Sequence, residues 1–150
     1  NHLNGNTLCL FQLVEKHGKV LYERMKGKEN VYFVYGATSA EQREEIRTIV
    51  DKSKNSTTIA SYGTFSTGIN IRNINNIVLA SPSKSKIRVL QSIGRGLRTS
   101  SSKDSILVFD IADDISYKGR YNFTLNHFFE RLNIYNEEQF NYELSKVKIK

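Results

Sequence analysis

Residues 31–61 read VYFVYGATSAEQREEIRTIVDKSKNSTTIAS. The run Val31–Tyr35 is β-branched and aromatic and reads as a strand. Thr38-Ser39-Ala40-Glu41 has capping-box spacing, with Thr38 as N-cap and Glu41 at N3. The helix it opens is expected to reach Lys52, and Thr57–Ser61 is a further β-branched strand. A strand, a helix and a strand in succession imply a right-handed crossover between parallel strands.

The same alternation extends in both directions. Upstream, Leu8–Phe11 reads as a buried strand and Val14–Met25 as a helix that ends at Gly27-Lys28. Downstream, Asn76–Ala80 and Ile106–Asp110 read as strands. Ile87–Leu97, Leu125–Leu132 and Glu137–Lys146 read as helices. The class is α/β, with a mostly parallel central sheet and helices on both faces. In such sheets ligands sit beyond the carboxyl ends of the strands, so functional residues are expected there.

The 150 residues suffice for one domain with a core, and 39% hydrophobic against 25% charged residues is a globular composition. No apolar run approaches the roughly 20 residues a bilayer span needs. No signal-peptide pattern is visible, and the first residue is Asn1 rather than Met, which points to a portion of something longer. Cys9 is the only cysteine, so neither an internal disulfide nor a cysteine metal cage is available, and a reducing cytoplasm is expected. It lies in an apolar run, where a buried thiol acts as a small hydrophobe. The net charge of +7 favours polyanionic partners.

Gln91-Ser92-Ile93-Gly94-Arg95-Gly96-Leu97-Arg98 carries the most chemistry. At about 100° per residue, Gln91, Arg95 and Arg98 share one narrow helical stripe. Arg88 lies near it, with Val89, Leu90, Ile93 and Leu97 roughly opposite. Guanidinium forks match phosphate oxygens and stay charged, which suits the charge that develops in phosphoryl transfer. Gly94 and Gly96 leave room for a ligand or a facing domain. The competing reading is a solvated basic face.

This stretch resembles motif VI, QxxGRxxR, of superfamily 2 helicases. The resemblance implies a RecA-like three-layer domain, the second lobe of a two-lobe motor, with a core over residues 1–120 and C-terminal helices over 121–150. It implies that Arg95 and Arg98 are finger residues reaching ATP held with Mg2+ mainly by an N-terminal lobe, and that Gln91 and Gly94 line the same cleft. The Gly-, Ser- and Thr-rich segment Ser61–Asn70 reads as a loop able to bind phosphate, or as an ordinary polar connection. It is similar to motif V. That similarity implies nucleic-acid contacts at Ser61 and Thr64 and a nucleotide-facing Gly68 and Asn70, with Asn70 near the ribose. Many relatives carry Asp at this last position.

Gln12, in Phe11–His17, follows the first strand as motif IV does in this family. Gly36-Ala37-Thr38 opens a helix N-terminus, a ready phosphate site. These residues and Arg43 are assigned to the nucleic-acid path, with a solvated surface role the alternative for Arg43. Asp110, Asp113 and Asp114 could suggest Mg2+, but helix capping or pairing with Arg and Lys is the expected role. His2, His17 and His127 are too scattered for a metal site, and His127 is expected to pack beside aromatic rings.

Ala60–Gly63, Phe65–Ile69, Lys84–Ile87, Val89–Gln91 and the ending Tyr135 with Glu138–Tyr142 are similar to the recombination and repair helicases of T4-type phages. This implies DNA partners that are branched or single-stranded, with RNA–DNA hybrids, in a bacterial host cytoplasm. Lys84, Lys86, Arg88, Arg95, Arg98 and Lys103 are the densest basic cluster, expected to face ATP and DNA. The chain carries no GxxxxGK[ST] loop and no Asp-Glu box, so alone it is expected to hydrolyse essentially no ATP. The alternatives are a non-enzymatic nucleic-acid-binding module and an α/β enzyme whose arginines bind a phosphorylated metabolite.

Overall fold

The computed structural model describes residues 3–68, 71, 73–81, 85, 90, 93–94 and 105–148. Its centre is a five-stranded sheet built from β1 (Thr7–Phe11), β2 (Val31–Val34), β3 (Thr57–Ser61), β4 (Asn76–Leu79) and β5 (Leu107–Asp110). The order across the sheet is β2-β3-β1-β4-β5, and every pairing is parallel. Four of the strand readings hold to within one residue at each end, and the fifth, β3, has the expected bounds.

Strand side chains alternate between two cores, as the period of two requires. Leu8, Leu10, Val34 and Ala60 pack on one face with Val50 of helix α2 (Ala40–Lys52) and with Tyr62 and Phe65 of helix α3 (Tyr62–Gly68). Cys9, Phe11 and Ile59 pack on the other with Leu21, Tyr22 and Met25 of helix α1 (Lys19–Met25). Burial raises the Cys9 thiol pKa to about 12, as expected of a structural cysteine.

A π-helical turn, Val14–Gly18, leads into α1. Gly18 lies against the Phe11 ring, and a Cβ there would stand 2.4 Å from a ring carbon. Phe11 then stacks on Phe33, and Phe33 on Tyr22 and Tyr35, at centroid separations of 5.7, 5.2 and 5.0 Å. These offset stacks fasten the edge strand β2 to the sheet.

Three local readings are corrected. The N-cap of α2 is Ser39, not Thr38, and the box partner is Gln42, not Glu41. The sequence holds two overlapping boxes; Thr38 is unavailable because its Oγ1 accepts the Tyr35 N–H at 3.1 Å and closes the preceding turn. The segment after β3 begins as helix α3 rather than a loop, since the Ser61 Oγ accepts the Thr64 N–H as an N-cap does.

The third correction concerns the C-terminal end. One helix, α4 (Phe123–Glu137), replaces the expected 125–132 and 137–146 pair, and residues 140–148 form no helix. Gln139 takes a left-handed φ of 55°. The Phe140 N–H bonds the Tyr135 carbonyl at 2.9 Å and the Gln139 N–H bonds that of Asn136 at 3.2 Å. That pair of bonds is a Schellman stop built without glycine, and the Phe140 ring packs back on Tyr135.

Candidate functional site

The strand register brings the carboxyl ends to one edge. Phe11 pairs with Ser61, Val34 with Ala60, Leu10 with Leu79, and Leu79 with Asp110. Gln12, Gly36, Thr38, Ser61 and Thr64 therefore share the edge where the sequence placed the nucleic-acid path.

Gly36 is exposed, and a Cβ built on it would meet nothing within 4 Å. Arg43 is half-buried and folds back on this turn, with Nε donating to the Thr38 carbonyl at 2.9 Å and Nη2 to the Gly36 carbonyl at 3.2 Å. Its guanidinium thus shapes the Gly36–Thr38 turn as well as charging it. A hollow of about 390 Å³ beside the turn is lined by Phe33, Tyr35, Ala37, Thr38, Gln42 and Ile46, with Glu45.

Ser61 and Thr64 are buried, their hydroxyls 2.7 Å apart. The exposed residue between them is Gly63, and a Cβ there would meet nothing within 4 Å. Ser81 was not singled out from the sequence. Its Oγ accepts the Gln12 N–H at 2.8 Å and its carbonyl accepts from the Tyr62 hydroxyl at 3.3 Å. Ser81 thereby ties the turn after β1 to the start of α3, and only its position just past β4 could have marked it.

Leu90, Ile93 and Gly94 are helical. Ile93 is buried against Tyr135, Ile106, Val108, Leu132 and Phe140, as the amphipathic reading requires. Gly94 is half-buried, and among the described residues no atom lies within 4 Å of a Cβ built on it. Gly68 is the last residue of α3. Gln91, Arg95, Arg98 and Asn70 lie outside the described residues, as does the basic cluster from Lys84 to Lys103.

Of the three carboxylates at the end of β5, Asp110 and Asp114 are engaged in pairing, one of the roles expected for them. Asp110 receives Nε and Nη2 of Arg131 at 2.7 and 2.6 Å and the Tyr135 hydroxyl at 2.7 Å. Arg131 is 1% exposed. Burial opposes its charge, but the hydrogen bonds and attraction of Asp110 outweigh that, and its pKa is raised. Burial, then the Asp110 charge, raises the Tyr135 phenol well above its ordinary value. Asp114 pairs with Lys146 at 2.8 Å and with Ser116; those bonds hold its pKa near about 2. Asp113 uses its carbonyl, which accepts from Asn122 and Thr124. Among the described residues no His, Cys, Asp or Glu group is placed to hold a metal ion. His127 lies 3.9 Å from the Phe123 ring, beside aromatic neighbours as expected.

Residues 1–100 match the family described as helicase conserved C-terminal domain. This chain belongs to that family. The helicase C-terminal domain is 36% identical over 155 residues to the ATP-dependent DNA helicase uvsW of Enterobacteria phage T4, covering 96% of this chain and 31% of that protein. The crystal structure of T4 UvsW matches it with a TM-score of 0.75 at 34% identity, covering 95% of this chain and 31% of that chain. The putative ATP-dependent helicase IRC3 of Saccharomyces cerevisiae is 34% identical over 104 residues, covering 67% of this chain and 15% of that protein. The C-terminal domain of the DEAD-box protein Dbp5 shares the fold, at TM-score 0.68 and 15% identity, covering 91% of this chain and 71% of that one. The helicase C-terminal domain thus spans less than a third of the length of the phage relative. Among its described residues no helix is long and apolar enough to cross a membrane.

Proposed function

We propose that the chain is the C-terminal motor lobe of an ATP-dependent DNA helicase that acts on branched DNA in recombination and repair. The observation that carries this is the stretch Gln91-Ser-Ile-Gly94-Arg95-Gly-Leu-Arg98 in a domain 36% identical to a phage ATP-dependent DNA helicase. In the helical periodicity of the sequence Gln91, Arg95 and Arg98 lie opposite Ile93, and Ile93 is buried on the sheet side.

Arg95 and Arg98 neutralise charge that develops on the γ-phosphate oxygens, and Gln91 and Gly94 line the same cleft. ATP and Mg2+ are held mainly by an N-terminal lobe. The glycine at Gly94, with no described atom within 4 Å of a built Cβ, suits a phosphate at this lobe's side of the cleft. Asn70 and Gly68 sit toward the nucleotide. Ser61, Thr64, Gln12, Gly36, Thr38 and Arg43 belong to the nucleic-acid path. The exposed Gly36 turn and the start of α3 bring backbone to that edge, while the inward-facing Ser61 and Thr64 hydroxyls hold the latter in shape.

The test is DNA-stimulated ATP hydrolysis by the full-length protein, wild type against Arg95→Ala. Turnover is expected to fall by on the order of 10³-fold with DNA binding retained. Unchanged turnover would reduce the arginine stripe to a basic surface and leave a nucleic-acid-binding module.

A further inference from the structure

Beyond β5 the chain forms a feature outside the family match, which ends at residue 100. Tyr117 and Arg120 exchange both backbone hydrogen bonds, at 3.1 and 3.0 Å. Lys118 and Gly119 between them have φ of 47° and 76°. Two left-handed central residues make a type I′ turn, the tight connection whose twist suits a hairpin. The base of the hairpin is fastened to the start of α4. Asn122, the N-cap of that helix, accepts the Ile115 N–H at 3.1 Å and donates to the Asp113 carbonyl at 2.9 Å.

This fixed hairpin exposes what a soluble surface normally hides. Tyr117 is 72% exposed and Phe123 70%, while Tyr121 is 59% exposed with its ring edge-on to Phe129. The tip Tyr117-Lys118-Gly119-Arg120-Tyr121 holds two cations and no acid. Among the described residues neither Lys118 nor Arg120 is in an ion pair, whereas Asp114 nearby is paired with Lys146. The Lys118 Nζ lies 5.3 Å from the Tyr117 ring centroid, and one cation leaves the second ring face free. An apolar partner would leave both cations unmatched. A nucleic-acid strand matches both features, because its bases stack on exposed rings and its phosphates pair with Lys and Arg. The hairpin also leaves β5 at the carboxyl edge, the edge shared by Gly36, Thr38 and Ser61.

We propose that the Tyr117–Arg120 hairpin is a base-stacking contact for unpaired DNA, with Tyr117 as the platform and Lys118 and Arg120 as its phosphate partners. This rests on the nucleic-acid-motor reading, which it extends to a site past the family core.

The test uses the full-length protein and two probes, labelled oligo(dT) and a blunt mixed-sequence duplex. Tyr117→Ala is expected to weaken oligo(dT) binding roughly tenfold, while Tyr117→Phe stays near wild type and duplex binding moves little. Replacing Lys118 and Arg120 together by Ala should flatten the slope of log affinity against log salt on oligo(dT) by about 1.4. Unchanged oligo(dT) binding by Tyr117→Ala would overturn the proposal and leave the motor reading standing, provided wild type keeps DNA-stimulated ATP hydrolysis. Equal losses on both probes, or a lowered unfolding midpoint with binding intact, would overturn it too, the latter by making the hairpin a contact with another part of the protein. A wild type that binds neither probe would sink the motor reading and the hairpin with it.

Discussion

At the amino-terminal edge of the sheet one buried side chain gathers several segments. Asn6 is 1% exposed; its Nδ2 donates to the Val50 and Ser53 carbonyls at 3.1 and 2.9 Å, and its Oδ1 accepts from Ser56 at 2.8 Å. Its backbone N–H reaches Asn75 Oδ1, and its carbonyl accepts from the N–H groups of Asn75 and Asn76. Gly5, at φ 89°, lets the chain pass so close that a Cβ would stand 2.4 Å from the Asn75 side chain. The carboxyl edge is finished differently. There Gly36 and Gly63 are exposed, and side chains (Thr38, Arg43, Ser61, Ser81) bond the turns around them. A parallel sheet leaves strand ends needing partners at both edges. Here the amino edge is gathered by one buried side chain, whereas the carboxyl edge is bonded by short local turns with exposed glycines among them.

The largest expected effect tests an exception. Asp110 is at the carboxyl edge yet acts structurally, so Asp110→Ala should destabilise the protein by about 3–5 kcal/mol through the stranded Arg131 charge. Urea unfolding reads this, and a loss below 1 kcal/mol, about the worth of a surface pair, would mean Arg131 finds another partner. Next, Asn6→Ala should cost about 1–3 kcal/mol by leaving buried carbonyls and the Ser56 hydroxyl unpaired. It should leave DNA affinity unchanged in fluorescence anisotropy; a DNA defect in a folded Asn6→Ala protein would break the division between the edges. The smallest effect belongs to Asp114, which is paired but solvated. Its carboxyl is held down near about 2, below its unfolded value. Any stability it adds is present at neutral pH and lost as pH falls through about 4 toward 2. Asp114→Asn should not move the thermal midpoint at pH 7, and a clear drop would show the exposed pair to be stronger than solvent screening permits.

The strands were legible because short runs rich in β-branched and apolar residues suit a sheet covered on both faces, as in Thr57-Thr58-Ile59. Helix ends were less so. Thr38 and Ser39 each begin a capping box, and what chose between them was the turn at Tyr35, a contact the spacing does not encode. Nothing in Glu138-Gln139-Phe140 announces a stop, since the left-handed residue is Gln139 rather than a glycine. Nothing near Arg131 in the sequence marks it for burial, since its partner is a carboxylate 21 positions away. At the site, the edge was legible from strand ends alone, whereas Ser81 depended on how three separate segments meet.

Helix α4 has a consequence for how such domains are cut. Ile93 rests on Tyr135, Leu132 and Phe140, all beyond residue 100 where the family match ends. Residues past the family match therefore help bury Ile93, a residue of the signature stretch. A boundary drawn at residue 100 would keep the signature and remove the residues that bury Ile93 within it.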